Sequence, residues 1–477
     1  MSQITQLVVI GAGPGGYAAA FMGADLGMEV TLVDREPNPG GVCLYRGCIP
    51  SKALLHVARV LTEAREAAAF GIEFSEPKLD YDRLRQWKRS VVERLTGGLG
   101  QLARQRKVRY IRGTARFTSS SSLEIESQGG KETLDFQTAI LASGSRPVIP
   151  GPLRLDSRRV MDSTGALELE EIPGSMLIVG GGYIGLELGT VYATLGTRVT
   201  VVEMLDGLLP GADRDLVRVL EKRVRRLLHQ VHLKTSVVRM EERDDAIHVR
   251  MEPQGGEAFE ERFDRVLVSV GRRPNSEDLG LEDTRVQLDP QGFVRIDSQC
   301  RTGDPTIFGV GDVTGQPMLA HRATHQGRLA AEVIAGSKAE FAPYAIPAVV
   351  FTDPELAWAG LTEREAREKG LDVEIARYPW EASGRAVTLD RPEGLTKLVV
   401  EKETQRILGI GIVGSGAGDL IAEGTLAIEL GARVEDVGLT IHAHPTLSET
   451  VMESADVFFG RSTHLYRPRR DEARRRT

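Results

Sequence analysis

The sequence predicts an α/β protein in which two similar parallel-sheet domains precede a smaller α+β domain. Two observations carry this prediction. A strand, a glycine-rich turn and a helix occur together twice, whereas the part after position 346 has strands and helices without that turn. The length of 477 residues is enough for about three or four domains. With 41% hydrophobic and 27% charged residues, the composition is that of an ordinary globular protein.

The first glycine-rich turn follows the strand QLVVIGAG, and an alanine-rich helix and the strand EVTLVD come after it. The same order recurs in MLIVGGGYIG, a helix and the strand RVTVVE. In both copies a carboxylate ends the second strand, 23 residues beyond the first glycine (positions 11 to 34 and 180 to 203). The corresponding residues are Gly11, Gly13, Gly16 and Asp34 in the first copy, and Gly180, Gly182, Gly185 and Glu203 in the second.

The Gly-x-Gly-x-x-Gly spacing is typical of Rossmann-like dinucleotide sites. The first glycine permits a tight turn, the second lets the backbone approach a pyrophosphate, and the third lets the helix pack on the strand. The carboxylate would bind a ribose diol. One such match leaves a ligand-free turn as an equal alternative, but two complete βαβ units with the same carboxylate spacing favour two dinucleotide sites.

The internal repeat extends beyond these turns and sets the predicted domain organisation. TAILASGSRP (138–147) and RVLVSVGRRP (265–274) are each an apolar strand followed by Gly-x-Arg-Pro. After position 346, strands around 397–402 and 407–413 and a helix around 417–430 predict an α+β interface domain. We therefore predict these parts: a first dinucleotide domain (1–147), a second (148–275), a central segment that returns to the first site (276–345), an interface domain (346–465) and a basic tail (466–477).

Two of the three cysteines, Cys43 and Cys48, lie in the segment GGVCLYRGCIPSK. Pro50 suits a first helical turn, and apolar residues at helical spacing follow from 51 to 69, so Cys48 is predicted near a helix N-terminus. The partial positive charge there stabilises a thiolate, the form that reacts in disulfide exchange. A structural disulfide and a pair of inert thiols are the alternatives for an isolated pair. Beside two dinucleotide sites, a redox-active pair is favoured, because a flavin can exchange electron pairs with both sulfur and a nicotinamide.

Charge and composition exclude some classes of partner. The formal net charge of −7 gives no indication of nucleic-acid binding. The N-terminus enters an apolar strand directly, without a signal-peptide pattern, and no apolar run is long enough to span a bilayer, so we expect a cytoplasmic protein. The arginine-rich C-terminal tail is expected to be solvated and disordered. No metal site is predicted.

The chain resembles the pyridine nucleotide-disulfide oxidoreductases over nearly its whole length, and within them the members that oxidise dihydrolipoyl groups. The motifs that carry the resemblance are GAGPGGY, GGVCLYRGCIPSK, GGGYIGLELG, TIFGVGD, MLAHRATHQG and HAHPTLSE. It implies FAD and NAD as cofactors. It assigns FAD contacts to Gly11, Gly13, Gly16, Asp34, Gly41, Lys52, Ala115, Ser143, Gly144, Asp312, Leu319, Ala320 and His321, and NAD contacts to Gly180, Gly182, Ile184, Gly185, Glu203, Val237 and Gly271.

The resemblance also implies the activity. A dihydrolipoyl group on a carrier protein would be oxidised through a disulfide between Cys43 and Cys48, and the electrons would pass through FAD to NAD⁺. Cys43 would be the sulfur that meets the substrate and Cys48 the one nearer the flavin. Lys52 and Glu187 would pair beside the flavin. The expected partners are a second copy of the chain and a lipoylated carrier, which the sequence does not name.

His444 and Glu449 form the last candidate constellation. A histidine titrates near neutral pH, and a carboxylate on its other ring nitrogen fixes the tautomer. From the residues alone, a structural or exposed histidine is the more common case. The match to HAHPTLSE implies instead that His444 is the base for the dithiol of the other subunit, and His442 is the weaker candidate.

Other residues bear on specificity. Glu203 places negative charge where a 2′-phosphate would lie, and Met204, Leu205 and Asp206 supply no arginine, which predicts NAD over its phosphorylated form. A glutathione or mercuric-ion reductase would be expected to have such an arginine or an extra C-terminal cysteine pair. The chain departs from the family pattern at a few positions. They are Asp34 (commonly glutamate), Tyr45 and Arg46 (commonly smaller or amide residues) and Gln326 (commonly an acid). Cys300 is expected to be a free thiol without a role.

Overall fold

The computed structural model describes residues 3–466. It confirms the predicted fold class, with two repeated parallel-sheet modules and a C-terminal α+β unit. The predicted basic tail lies, from residue 467 onward, outside the described residues. None of the helices within residues 3–466 combines the length and the apolar character that crossing a bilayer requires.

The first module is built on a sheet that includes four parallel strands, β1, β2, β3 and β5, and β1 leads directly into the glycine-rich turn. Strand β1 pairs with both β2 and β5, and β2 pairs with β3. The strands are β1 (Gln3–Ile10), β2 (Val30–Asp34), β3 (Arg109–Ser119), β4 (Ser122–Ser127), β5 (Gly130–Leu141) and β6 (Ser145–Pro147). The helices are α1 (Pro14–Asp25), α2 (Gly41–Arg46), α3 (Cys48–Glu66) and α4 (Tyr81–Gln105), and a 3₁₀ turn, Ala67–Phe70, follows α3.

The second module repeats the first. Its parallel sheet has the order β10-β9-β8-β14-β7, and an antiparallel sheet β11-β12-β13 is attached to it. The strands are β7 (Val160–Met161), β8 (Ser175–Val179), β9 (Arg198–Val202), β10 (Gln230–His232), β11 (Thr235–Arg243), β12 (Ala246–Pro253), β13 (Phe259–Phe263), β14 (Arg265–Val268) and β15 (Arg272–Pro274). The helices are α5 (Ser163–Glu168), α6 (Tyr183–Thr194) and α7 (Arg214–Leu227).

The ends of the two modules pair with each other. Strands β6 and β15, which contain the last three residues of the two Gly-x-Arg-Pro sequences, form an antiparallel ribbon in which Arg273 lies opposite Arg146. The Nη1 of Arg146 donates to Asn275 Oδ1 (2.8 Å), and Asn275 Nδ2 donates to the carbonyl of Ser143 (2.8 Å). The repeat seen in the sequence is therefore also a contact between the modules.

The central segment returns to the first module. Strand β16 (Ile307–Gly309) pairs in parallel with β5, and the 3₁₀ turn Gly311–Thr314 follows it. Helix α8 (Ala320–Ile334) then packs across α1, where a Cβ on Gly327 would lie 2.1 Å from the carbonyl oxygen of Gly15. This close crossing brings the start of α8 and Asp312 to the glycine-rich turn of the first module.

The C-terminal unit is a five-stranded antiparallel sheet of order β17-β18-β21-β20-β19. Its core includes the buried side chains of Trp380, Tyr378 and Leu398. The strands are β17 (Ala348–Val350), β18 (Glu355–Gly360), β19 (Val373–Pro379), β20 (Leu395–Glu401) and β21 (Ile407–Gly414). The helices are α9 (Glu363–Glu368), α10 (Gly384–Thr388), α11 (Ala417–Glu429), α12 (Val434–Leu439) and α13 (Glu449–Phe459). The strands and the helix predicted between positions 397 and 430 are thus confirmed.

Candidate active site

A cleft of about 910 Å³ lies between the first module, the central segment and the start of α6. Both cysteines of the predicted pair open into it. The sequence-predicted residues that line it are Gly11, Gly13, Asp34, Gly41, Cys43, Cys48, Lys52, Ala115, Ser143, Gly144, Ile184, Glu187, Asp312 and Ala320. Because Ile184 and Glu187 belong to the second module, the start of α6 from that module forms one side of the cleft that contains the cysteines.

The glycine-rich turns have the shape that a pyrophosphate requires. A Cβ on Gly16 would lie 1.8 Å from the carbonyl oxygen of Gly11, and a Cβ on Gly185 would lie 2.3 Å from that of Gly180, so only glycine permits each turn to meet its helix. Helices α1 and α6 begin immediately after Gly13 and Gly182, and no side chain caps either N-terminus. Their free N–H groups are therefore available to an anion.

The two carboxylates at the ends of β2 and β9 are held in the same way. Asp34 accepts from the N–H groups of Ala12 (2.6 Å) and Glu36 (2.9 Å). Glu203 accepts from those of Gly181 (2.7 Å) and Leu205 (2.8 Å). Each carboxylate oxygen keeps a free lone pair for a ribose hydroxyl. The shorter Asp34 thus makes the same backbone contacts as the longer Glu203, and both modules fit a dinucleotide.

Lys52 and Glu187, which are 135 positions apart, meet beside the cysteines. Lys52 Nζ donates to Glu187 Oε2 at 2.7 Å and lies 4.5 Å from the centroid of the Phe351 ring. Glu187 is buried and also accepts from Ser51 Oγ (3.0 Å) and from the N–H of Phe351 (3.0 Å). These contacts fix a cation at the base of the cleft, next to Cys48.

The two cysteines lie in consecutive helices. Cys43 belongs to the short helix α2, which begins at Gly41, and only Gly47, with φ −144° and ψ −111°, separates it from α3. Helix α3 begins at Cys48, which confirms the predicted place of this cysteine at a helix N-terminus.

Both thiols are free and hydrogen-bonded to each other, and their acidities diverge. The hydrogen bond from Cys43 lowers the pKa of Cys48, burial opposes this, and Lys52 lowers it further, so that the pKa of Cys48 is about 7. The hydrogen bond to Cys48 and burial raise the pKa of Cys43. Cys48 is therefore the thiolate of the reduced pair, and Cys43 is the thiol that carries the proton.

Asp312 belongs to a network that the sequence did not reveal. Its Oδ2 accepts from Ser145 Oγ at 2.5 Å. Arg272 of β15 donates to Ser145 through its Nε (to Oγ, 2.8 Å) and its Nη2 (to the carbonyl, 2.8 Å). Gln326 holds the same turn, because its Oε1 accepts from the N–H of Gly311 (2.9 Å). The amide at position 326 thus serves as an acceptor, which a carboxylate would also do.

His444 and Glu449 form a dyad at the surface of the C-terminal unit. His444 Nδ1 contacts Glu449 Oε1 at 2.9 Å, and the histidine side chain is 72% exposed. Burial raises the pKa of Glu449, but hydrogen bonds from the N–H of Thr446 and from His444 outweigh it, and the pKa lies below its usual value. Within residues 3–466, no hydrogen bond to Nε2 of His444 occurs, so this atom is available to a substrate.

His442 is placed differently. Its Nδ1 faces the carbonyl of Thr440 (2.8 Å) and its Nε2 faces Glu423 Oε1 (2.7 Å). Both ring nitrogens are occupied by acceptors, so His442 is not free to take a proton from a substrate.

Several predicted residues do not line the cleft. Gly16 is the third glycine of the first turn, Leu319 precedes α8, and the ring of His321 contacts the carbonyl of Pro347 (2.8 Å). The dyad of the C-terminal unit is also outside. The members of the second module that are not at the cleft are Gly180, Gly182, Gly185, Glu203, Val237 and Gly271.

Other residues at the cleft were not predicted. Tyr183, the first residue of α6, and Ser51 line it together with Ser145 and Arg272. Tyr183 could have been predicted from the sequence as a residue of the site, because it follows the second glycine of the turn. Cys300, in contrast, is fully buried away from the cleft, and burial raises the pKa of its thiol to about 12.

A cysteine pair that opens into a cleft between two dinucleotide-binding modules defines an oxidoreductase that moves electrons between a disulfide and a nicotinamide through a second bound dinucleotide. Comparison with known proteins is more specific. The chain belongs to the pyridine nucleotide-disulphide oxidoreductase family, whose model matches residues 5–327 and whose dimerisation-domain model matches residues 346–455. FAD and NAD are the cofactors of this family and of this chain.

The chain is similar to curated dihydrolipoyl dehydrogenases. It is 49% identical to that of Vibrio cholerae over 460 residues, which cover 96% of this chain and 97% of the relative. It is 50% identical to that of Haemophilus influenzae over 464 residues (97% and 96%). Among solved structures, the HOCl-induced flavoprotein disulfide reductase RclA from Escherichia coli matches with a TM-score of 0.85 and 27% identity, covering 96% of this chain and 100% of the other. LpdA from Mycobacterium tuberculosis, at 24% identity, shares the fold (TM-score 0.88, 95% and 99% covered).

Proposed function

We propose that this protein is a dihydrolipoyl dehydrogenase, which oxidises protein-bound dihydrolipoyl groups and reduces NAD⁺. The observation that carries the proposal is that Cys43 and Cys48 open, together with Lys52, into a cleft that is lined by residues of both dinucleotide modules. The near full-length similarity to dihydrolipoyl dehydrogenases supports the choice of substrate.

The chemistry begins with the oxidised enzyme, in which Cys43 and Cys48 are joined. A substrate thiol gives its proton to Nε2 of His444, and Glu449 stabilises the resulting imidazolium. The substrate thiolate attacks Sγ of Cys43, and Cys48 leaves as a thiolate. A thiol with a pKa of about 7 is a good leaving group at neutral pH.

The second substrate thiol then attacks the mixed disulfide at the substrate's own sulfur. This step forms the substrate disulfide, and Cys43 leaves as a thiol that takes up the proton of the second substrate thiol. The enzyme then holds two electrons on the cysteine pair and two protons, one on Cys43 and one on His444. FAD, held at the glycine-rich turn of the first module, would supply the route by which the electron pair passes from the dithiol to NAD⁺. Lys52 stabilises negative charge at the base of the cleft, and buried Glu187 holds Lys52 in place.

The dyad acts in the active site of a second copy. His444 lies outside the cleft that contains Cys43, which supports a site assembled from two subunits. The C-terminal unit also exposes large apolar side chains: Leu426 (59%), Leu430 (75%), Leu439 (69%) and Ile441 (96%). These residues suit burial in a homodimer interface, which the match to a dimerisation domain supports. A cycling dithiol suits a reducing compartment and supports a cytoplasmic location.

Mixed dimers test this arrangement. Cys43→Ser and His444→Gln subunits are each expected to lack lipoyl turnover while they keep FAD and reduce artificial dyes with NADH. When the two are mixed and reassorted, each hybrid dimer regains one intact site. Random mixing then gives about a quarter of the wild-type activity, because half of the dimers are hybrids with one of two sites active.

No recovery in verified hybrid dimers would mean that His444 does not act across subunits. Full lipoyl turnover in the Cys43→Ser variant alone would overturn the disulfide route itself.

A further inference from the structure

The residues between the two cysteines make contacts that their positions in the sequence did not explain. Arg46, at the end of α2, forms an ion pair with the carboxylate of Glu36, between Nη2 and Oε1. Both side chains line the cleft, and they are 39% and 22% exposed. The pair therefore joins α2, on the cysteine side of the cleft, to the segment that follows β2.

The segment after β2 is fixed at several points. The N–H of Glu36 donates to Asp34 Oδ1 (2.9 Å), and the carbonyl of Glu36 accepts from Tyr110 Oη (2.9 Å). Tyr45 adds a second bridge from α2, since its Oη donates to the carbonyl of Asn38 (3.1 Å) and accepts from the N–H of the same residue (3.2 Å). Glu36 is thus held in place by its backbone, two residues after the carboxylate that fits a ribose.

We propose that the ion pair between Arg46 and Glu36 closes the FAD cleft beside the adenosine end and slows the release of the cofactor. A dinucleotide that lies along the turn at Gly13 and against Asp34 passes between α2 and the segment that follows β2. Release of the dinucleotide then requires α2 and this segment to separate, which breaks the ion pair. The inference requires only that FAD occupies the cleft, and it holds whichever dithiol the enzyme oxidises.

Closure by the ion pair and direct binding of FAD by Arg46 predict different effects of removing Glu36. If Arg46 instead bound the phosphates of FAD directly, Glu36 would compete for the guanidinium. Loss of Glu36 would then strengthen the hold on the cofactor. In a closure made by the pair, loss of either partner opens the cleft to the same extent, and loss of both adds little.

The test measures the rate of FAD release from the purified holoenzyme, followed by the rise of free-flavin fluorescence after dilution. Arg46→Gln and Glu36→Gln are each expected to release FAD about 1.5 to 5 times faster than the wild type, the range for exposed ion pairs. The double variant is expected to match the faster single variant. Added salt should speed release from the wild type more than from the variants. Arg59→Gln, which breaks an exposed ion pair with Glu63 on α3, is the matched control and should leave the rate unchanged.

Three results would overturn the proposal. They are an unchanged rate in Arg46→Gln, slower release in Glu36→Gln, and effects that multiply in the double variant. Should a single variant fold poorly, the charge exchange Arg46→Glu with Glu36→Arg decides the question. Slow release in that protein supports the closure, and fast release contradicts it.

Discussion

Replacing Lys52 with methionine removes the cation beside the Cys48 thiol, and we expect the pKa of that thiol to rise above its value of about 7. The hydrogen bond from Cys43, the largest cause of the low pKa, remains in this variant, and so does the opposing effect of burial. Methionine keeps the length and apolar stem of the lysine. The change therefore isolates the electrostatic contribution of the ammonium group.

The structure sets the size of this effect. An opposite charge within about 4–6 Å lowers an acid's pKa by roughly 1–3. Lys52 belongs at the low end, because its side chain is 33% exposed and Glu187 neutralises part of its charge. We expect the titration midpoint of Cys48 to move up by about one pH unit. Glu187 raises the pKa of Cys48, so Glu187→Gln should move the midpoint in the opposite direction.

The assay is the rate of iodoacetamide alkylation of the reduced enzyme between about pH 5 and pH 10, with the alkylated cysteine assigned by mass spectrometry. Lys131→Met, which removes an exposed lysine paired with Glu124, is the control and should titrate as the wild type does. An unchanged midpoint in Lys52→Met, or the same direction of change in both Lys52→Met and Glu187→Gln, would refute the electrostatic account of the cysteine pair.

Three further predictions follow from the fold and the second module. Gly16→Ala should abolish FAD retention, because the new Cβ would lie 1.8 Å from the carbonyl oxygen of Gly11; purified variant with a normal flavin content would contradict this. Glu203→Ala should raise the KM for NAD⁺ about tenfold, a loss of about 1.4 kcal/mol, and efficient use of NADP⁺ by the wild type would show the specificity argument to be wrong. Lys397→Met should lower the free energy of unfolding in urea by about 3–5 kcal/mol, since it removes a 1% exposed lysine side chain and leaves Asp213 without its ion pair, while Asp215 keeps only the pair with Arg377; the exposed Lys402→Met should change it little.

The local parts of this structure were predictable from the sequence. The strands around the two glycine-rich turns, the carboxylates at positions 34 and 203 and the helix that begins at Cys48 each depend on residues close together in the chain. Hydrophobic runs, glycines that permit one turn and a proline in a first helical turn carry this information. Because the module is duplicated, the same pattern of strand, glycine-rich turn, helix and carboxylate occurs at two independent places in the chain.

Contacts between distant segments could not be derived in this way. The pairing of Lys52 with Glu187 was expected only through the family resemblance, because spacing says nothing about residues 135 positions apart. The contact of Ser145 with both Asp312 and Arg272 depends on how the two modules dock, and no periodicity encodes it. Arg46 seemed only an unusual residue in the sequence, because its partner is fixed by the path of another loop.

The antiparallel ribbon between β6 and β15 has a consequence for protein engineering. Each of the two dinucleotide modules ends in a strand that is hydrogen-bonded to a strand of the other module. A chimaera that takes its second half from another enzyme, with junctions near 147 and 275, would bring together two ribbon strands that never evolved as a pair. Transplants should therefore exchange residues 145–147 and 272–274 as a matched set, so that the donor's own pairing travels with the graft.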